Sequence, residues 1–163
     1  MPLVKNGTYA DDPFTTVADD AALPEGKPVI VSLKRFQAER DALLARKAAL
    51  GVRLESAESP EALGDDVQRL STIVLAVPYF KDGRAFSWAR LLRTRLNYKG
   101  EIRVSGHFLR DQISFYARVG VDAFDLSQNL SPEDIAHAMT EMSNVFQHSV
   151  DGRKSIWDLR AGR

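Results

Sequence analysis

A glycine and an arginine stand side by side at Gly83 and Arg84, just past the apolar run "TIVLAV", and Ser87 follows one helical turn later. Gly106 and Arg110 repeat the theme at the end of "EIRVSG". A glycine ahead of a helix lets the backbone turn closely, and the first amides of that helix are donors without partners. A guanidinium adds a planar fork matched to sulfate, phosphate or carboxylate, and a serine hydroxyl can add another donor. Gly83, Arg84, Ser87, Gly106 and Arg110 are therefore predicted to form a small oxyanion pocket, with Asp82 and Asp111 orienting the two arginines. The plainer alternative is that Asp82 and Asp111 pair with Arg84 and Arg110 and only brace the loops.

His107 stands between these groups, near Asp111, where a general base tuned near neutrality would be useful. An exposed loop histidine is the competing reading, and His137 and His148 carry no signal. The glycine pattern is not G-x-G-x-x-G and lacks the Lys-Ser/Thr ending of a phosphate loop. There is no nucleophile elbow and no close carboxylate pair of hydrolytic type. The chain has no cysteine, which removes disulfides, thiolate nucleophiles and the usual iron–sulfur and cysteine-zinc sites. Three scattered histidines and no clustered acidic loop predict no metal site.

Net charge is zero over 163 residues, yet residues 81–110 hold eight basic side chains against two acidic ones. That stretch is either a set of solvated helix faces or a local surface that attracts anions. The absence of an overall basic balance argues against nucleic acid as a partner. No apolar run reaches the ~20 residues of a membrane helix, and the N-terminus has no secretory pattern. The expected location is the cytoplasm.

These candidate groups need a scaffold, and the patterning supplies one. Residues 1–28 read as a hairpin, "PLVKNGTY" with Asn6-Gly7 as its turn, and a loop leading into the core. Short β-branched runs then alternate with helical periods. "PVIVSL" precedes a helix over 34–50, and "VRLE" precedes the serine-capped "SPEALGDDVQRL". "STIVLAV" precedes a helix over 84–96, and "GEIRVSG" precedes one over 108–119. "VDAFDL" precedes a helix opened by "SPED", with Ile135, Met139, Met142 and Phe146 on its stripe. The tail over 150–163 offers Trp157 for docking onto this chain or onto a second copy in a homodimer.

Five alternations predict a single α/β domain: a five-stranded, mostly parallel sheet with helices on both faces, doubly wound and flavodoxin-like. The alternative is an incomplete (β/α) barrel, since about 250 residues usually close a full one. In either case Ser127 and Gln128, after the fifth strand, are expected to share the C-terminal rim with the arginine loops.

At "FKDGRAFSWARLLR", "KGEIRVSGHFLRDQ" and "GVDAF" the chain resembles a bacterial family of unknown function. Its members are described as oxidoreductases involved in sulfite reduction and are encoded beside sulfite reductase genes. The family's pattern falls on Phe80, Asp82, Gly83, Arg84, Ser87, Leu92, Arg93, Gly100, Glu101, Arg103, Gly106, Arg110, Asp111, Gln112, Gly120 and Asp122. The chain departs from it at His107, where an acidic residue is usual, and at Trp88, where glutamine is usual. Both departures count against shared chemistry at those two positions. The resemblance implies a role near sulfite reduction. Three readings follow: an accessory protein binding sulfite, sulfate, phosphate or a partner's acidic surface; an oxidoreductase using a bound flavin or nicotinamide; and a structural subunit docking to sulfite reductase. The loops contain no recognised cradle for either cofactor.

Overall fold

The β-branched runs become strands, and their order in space decides the architecture. The computed structural model describes residues 3–5, 7–126 and 130–162. Asn6 of the hairpin turn, and Ser127 and Gln128 of the expected rim, lie outside the described residues. The chain opens with β1 (Leu3–Lys5) and β2 (Thr8–Ala10), an antiparallel pair, followed by a two-residue β3 (Thr15–Thr16). Next come β4 (Val29–Ser32), α1 (Leu33–Ala38), α2 (Arg40–Leu44) and β5 (Leu50–Leu54). A 3₁₀ segment over Pro60–Arg69 leads to β6 (Thr72–Val77), and α3 (Arg84–Thr94) leads to β7 (Glu101–Gly106). A 3₁₀ turn at Arg110–Gln112 runs into α4 (Ile113–Arg118), then β8 (Ala123–Leu126), α5 (Pro132–Thr140) and α6 (Ile156–Ala161).

All eight strands form one mixed sheet in the order β2-β1-β8-β7-β6-β5-β4-β3. From β3 to β8 each strand is parallel to its neighbour and is laid down beside the one before it, while β1 joins β8 antiparallel. This overturns the five-stranded, doubly wound expectation. A doubly wound sheet reverses its direction of growth at a switch point and so takes helices on both faces. Here there is no reversal, and successive right-handed crossovers keep the helices on one side. Val52, Leu54, Ile73, Leu75, Val77, Ile102, Val104 and Phe124 share one core with Phe36, Leu43, Ala85, Ala89, Leu92, Ile113, Tyr116 and Ile135 from the segments between strands. The alternate strand residues, including Arg53, Val74, Ala76, Arg103, Ser105 and Ala123, face away from it.

The sheet curls into a half-barrel, and chain length requires the curl. β2 and β3 are the two edges, seven strand positions apart, or about 34 Å on a flat sheet. The backbone from Ala10 to Thr15 can reach only about 18 Å. The edges must therefore bend toward one another, and residues 11–14 form a strap between them. Asp12 on the strap pairs with Arg103 of β7 at 2.6 Å, and the Phe14 ring lies 5.9 Å from the same guanidinium. The helix-poor side is thus roofed by the N-terminal segment. In curling this way the sheet departs from the doubly wound reading in the direction of the barrel alternative.

Several local expectations also change. The helix expected over 34–50 breaks at Glu39 (φ −115, ψ 23), and Leu50 opens a strand rather than closing a helix. α5 stops at Thr140, leaving Met142 and Phe146 beyond it, 45% and 69% exposed. Trp157 on α6 is also exposed.

Candidate functional site

β6 is buried along its whole length and delivers the chain to the rim at Val77. The turn that follows is closed by the Asp82 amide donating to the Tyr79 carbonyl at 2.9 Å. Asp82 then becomes the anchor of the loop. Its buried carboxylate accepts from the Arg84 amide at 3.2 Å, from Arg84 Nε at 2.9 Å and from Arg84 Nη2 at 2.7 Å. Hydrogen bonds from Arg84, then its backbone amide and Ser56, outweigh burial and hold this carboxyl far below the usual carboxylate range. The Arg84 side chain stays 48% exposed, and Asp82 holds it by the Nε and Nη2 edge. Ser87, one turn on, is exposed as well.

The two rim glycines differ. Gly83 has φ −82 and ψ 0, and a Cβ there would meet nothing within 4 Å. The turn into α3 therefore does not depend on glycine. Gly106 has φ +123, and a Cβ would sit 2.2 Å from the Val77 carbonyl oxygen. That same oxygen accepts from the His107 amide at 2.8 Å. The end of β7 is pressed against the end of β6, and only glycine fits.

The second loop is built on other partners than those predicted. Arg110 stands in a 3₁₀ turn, not at the start of a full helix, since α4 begins at Ile113. Its guanidinium reaches Glu141 at 3.2 Å and His137 Nδ1 at 2.8 Å. Arginine can only donate, so His137 Nδ1 accepts. Asp111 and His107 are both exposed. The two loops are tied by Gln112, whose side-chain amide donates to the Phe80 carbonyl at 2.9 Å while its oxygen accepts from the Leu109 amide at 3.0 Å. The structure thus joins the loops bearing Arg84 and Arg110, while anchoring one arginine on Asp82 and the other on Glu141 and His137.

Several residues of the family pattern hold the frame instead of the rim. Arg93 donates to the carbonyls of Gly120 (3.0 Å), Tyr98 (2.8 Å) and Gly100 (2.9 Å), and it also pairs with Asp122. A Cβ at Gly100 would fall 2.2 Å from the Tyr98 hydroxyl, and one at Gly120 would fall 2.5 Å from Arg93 Cγ. Arg103, with its side chain 3% exposed, lies between Asp12 and Glu101, and Glu101 also takes Lys5 at 3.0 Å. Burial alone would raise the Glu101 carboxyl, but hydrogen bonds from Lys5 and Arg103 lower it.

Sequence reasoning did not pick out the polar row on the inner face near the C-terminal strand ends. Arg53 donates to Glu55 at 2.9 Å and to the Ser105 hydroxyl at 3.4 Å, and Ser105 donates to Asp125 at 3.1 Å. The signal that could have found it is the alternation of polar residues in "VRLE", "EIRVS" and "AFDL", which marks a strand with one polar face. Among the described residues no group of three or more His, Asp or Glu side chains is placed to hold a metal ion. No helix there is long and apolar enough to cross a membrane.

A family model described as "Bacterial protein of unknown function (DUF934)" matches residues 51–157. The chain belongs to the DUF934 family. Neither a search of curated proteins nor one of solved structures found a match. The matched stretch runs from β5 to the start of α6, so it contains both rim loops, the Arg93 staple and the inner-face row, and it leaves out the hairpin, the strap, β3, β4 and the first two helices.

Proposed function

We propose that this DUF934 protein holds a small oxyanion, or a carboxylate on a partner's surface, at the rim loop over 82–87. In this reading it is an accessory protein of sulfite or sulfate assimilation. The observation that carries the binding is the orientation of Arg84. A buried aspartate grips one edge of the guanidinium and leaves the other edge open to solvent beside the start of α3. A fork fixed in this way loses little freedom when an anion docks. The Asp82–Arg84 pair supports this reading, since it fixes the direction of the guanidinium. Arg110 is bound to α5 and its flank, so its part is to hold the neighbouring loop in place. Sulfite assimilation as the setting rests on the family resemblance, with sulfite reductase components as the partners that would receive or supply the anion.

The test is thermal unfolding at constant ionic strength with sulfite, sulfate or phosphate replacing chloride. For a Kd of about 1 mM, about 20 mM ligand adds roughly 1.8 kcal/mol, or about 4–7 °C for a chain of this size. Arg84→Gln lowers the starting Tm because Asp82 loses its partner, so the readout is the anion-induced increment. That increment disappears in Arg84→Gln and persists in Arg110→Gln. Equal increments in the wild type and Arg84→Gln would refute the site.

A further inference from the structure

We infer a second, separate binding site: a groove between α3, α4 and residues 147–149 that takes a planar organic anion, an aromatic ring carrying a sulfonate, carboxylate or phosphate. The hollow bordered by Phe86, Arg90, Phe115 and Arg118 measures ≈ 570 Å³, within the usual range of small-molecule sites. A second hollow of ≈ 450 Å³ shares Phe115, Arg118 and Gln147 and extends the groove past Met142 and Phe146.

The floor is aromatic and rigid. Phe86 stacks on the buried Tyr116 ring at 3.9 Å between centroids and 8° between planes. Phe115 presents its ring from α4 with 46% of its surface exposed. Such faces favour a flat ring.

Charge selects the sign of the ligand. Two of the acids around the groove are matched by arginine, Asp151 by Arg118 at 3.1 Å and Glu141 by Arg110 at 3.2 Å, while Asp158 accepts from the Ser155 amide and hydroxyl at 2.7 and 2.6 Å. The guanidinium of Arg90 makes no ion pair or side-chain hydrogen bond among the described residues, and it lies on the groove wall. A slot with two phenylalanines, bordered by Gln112, Gln147 and Ser149 and with one uncompensated guanidinium at its edge, is complementary to an amphipathic anion. The site does not involve Arg84, so it stands or falls independently of the rim proposal.

The test is a fluorescence titration of the whole chain with anilinonaphthalene sulfonate, with the uncharged N-phenylnaphthylamine as the control. One equivalent of the sulfonate should bind with a Kd of about 10–100 µM. Phe115→Glu should abolish binding, and Arg90→Ala should weaken it about tenfold. Both positions are exposed, so the fold survives either change, as circular dichroism would verify. Binding that is unchanged in both variants, or equally tight for the uncharged probe, overturns the inference. So does non-saturable binding. A sedimentation experiment in which the chain dimerises and excludes the probe assigns the groove to a second copy and overturns it as well.

Discussion

Two aspartate–arginine pairs belong to the same sheet, one at its rim and one on its face, and they behave differently. Asp82 and Arg84 lie on the outer rim, with the carboxylate buried and the guanidinium half in water. Arg103 lies under the strap and pairs with Asp12 on it, with the guanidinium buried and its charge shared with Glu101. In the first pair the cation keeps an open edge and remains able to meet an anion. In the second it is enclosed, and its task is to fasten the strap to the middle of the sheet. The pairing chemistry is the same; solvent access at the guanidinium makes one a candidate site and the other a rivet.

The sharpest way to break this contrast is to remove the enclosed arginine. Arg103→Met leaves Asp12 without its cation and Glu101 with Lys5 alone, and stripping one partner from a buried ion pair costs up to about 3–5 kcal/mol, less here because Asp12 is partly in water. Urea unfolding should show that loss, and limited proteolysis should cut within residues 11–14 much faster than in the wild type. Arg84→Gln also leaves a buried carboxylate, that of Asp82, without its cation, so it too should lose stability. The distinction is read in the strap: cutting within residues 11–14 should speed up in Arg103→Met and stay at the wild-type rate in Arg84→Gln, and equal cutting in both variants would end it.

Next in size is a comparison of the two rim glycines. Gly106→Ala forces a side chain into φ +123 and against the Val77 carbonyl, a strain of about 1–3 kcal/mol before any clash is relieved. Gly83→Ala meets open space in an ordinary backbone region, so its effect should stay within about 0.5 kcal/mol. Equilibrium denaturation of the two variants measures both. A neutral Gly106→Ala would mean that the ends of β6 and β7 are not pressed together as described.

The sequence made the strands legible because each run is short, β-branched and bounded by turn residues. It also placed Asp82 beside Arg84, since neighbours in a tight turn have little choice of partner. Strand order was not legible. Alternating strand and helix is common to singly and doubly wound sheets, and nothing local marks a switch point. The reach of residues 11–14 was available only once the two edges were known. Arg110 was assigned to Asp111 by the same neighbour logic that succeeded at Asp82. It failed because a 3₁₀ turn directs Arg110 toward α5, where Glu141 and His137 wait. The helix over 34–50 was misjudged because alanines and leucines keep a helical period through a break that Glu39 makes in the backbone.

A pH series sharpens the rim half of the comparison. The Asp82 carboxyl titrates far below its unfolded counterpart, chiefly because of the hydrogen bonds from Arg84. A folded pKa that is depressed means stability fully present above the unfolded value, near 3.9, and lost as pH falls through the folded one. Asp82→Asn removes that proton-linked increment, so the stability gap between wild type and variant should be flat above about pH 5 and should narrow steadily below about pH 4. Measuring urea midpoints from neutral to acid pH tests this directly.

The smallest effect belongs to the second loop. Glu141→Gln removes an exposed partner of Arg110, and such pairs contribute about 0–1 kcal/mol. His137 Nδ1 still accepts from the guanidinium, so the loop should keep its position and the Tm should fall by no more than about 4 °C. Because the Arg84 edge is set by Asp82 and not by Glu141, the anion-induced increment in Tm should be unchanged in this variant. If that increment were lost, the two loops would be acting as one pocket, with Arg110 contributing directly to the anion.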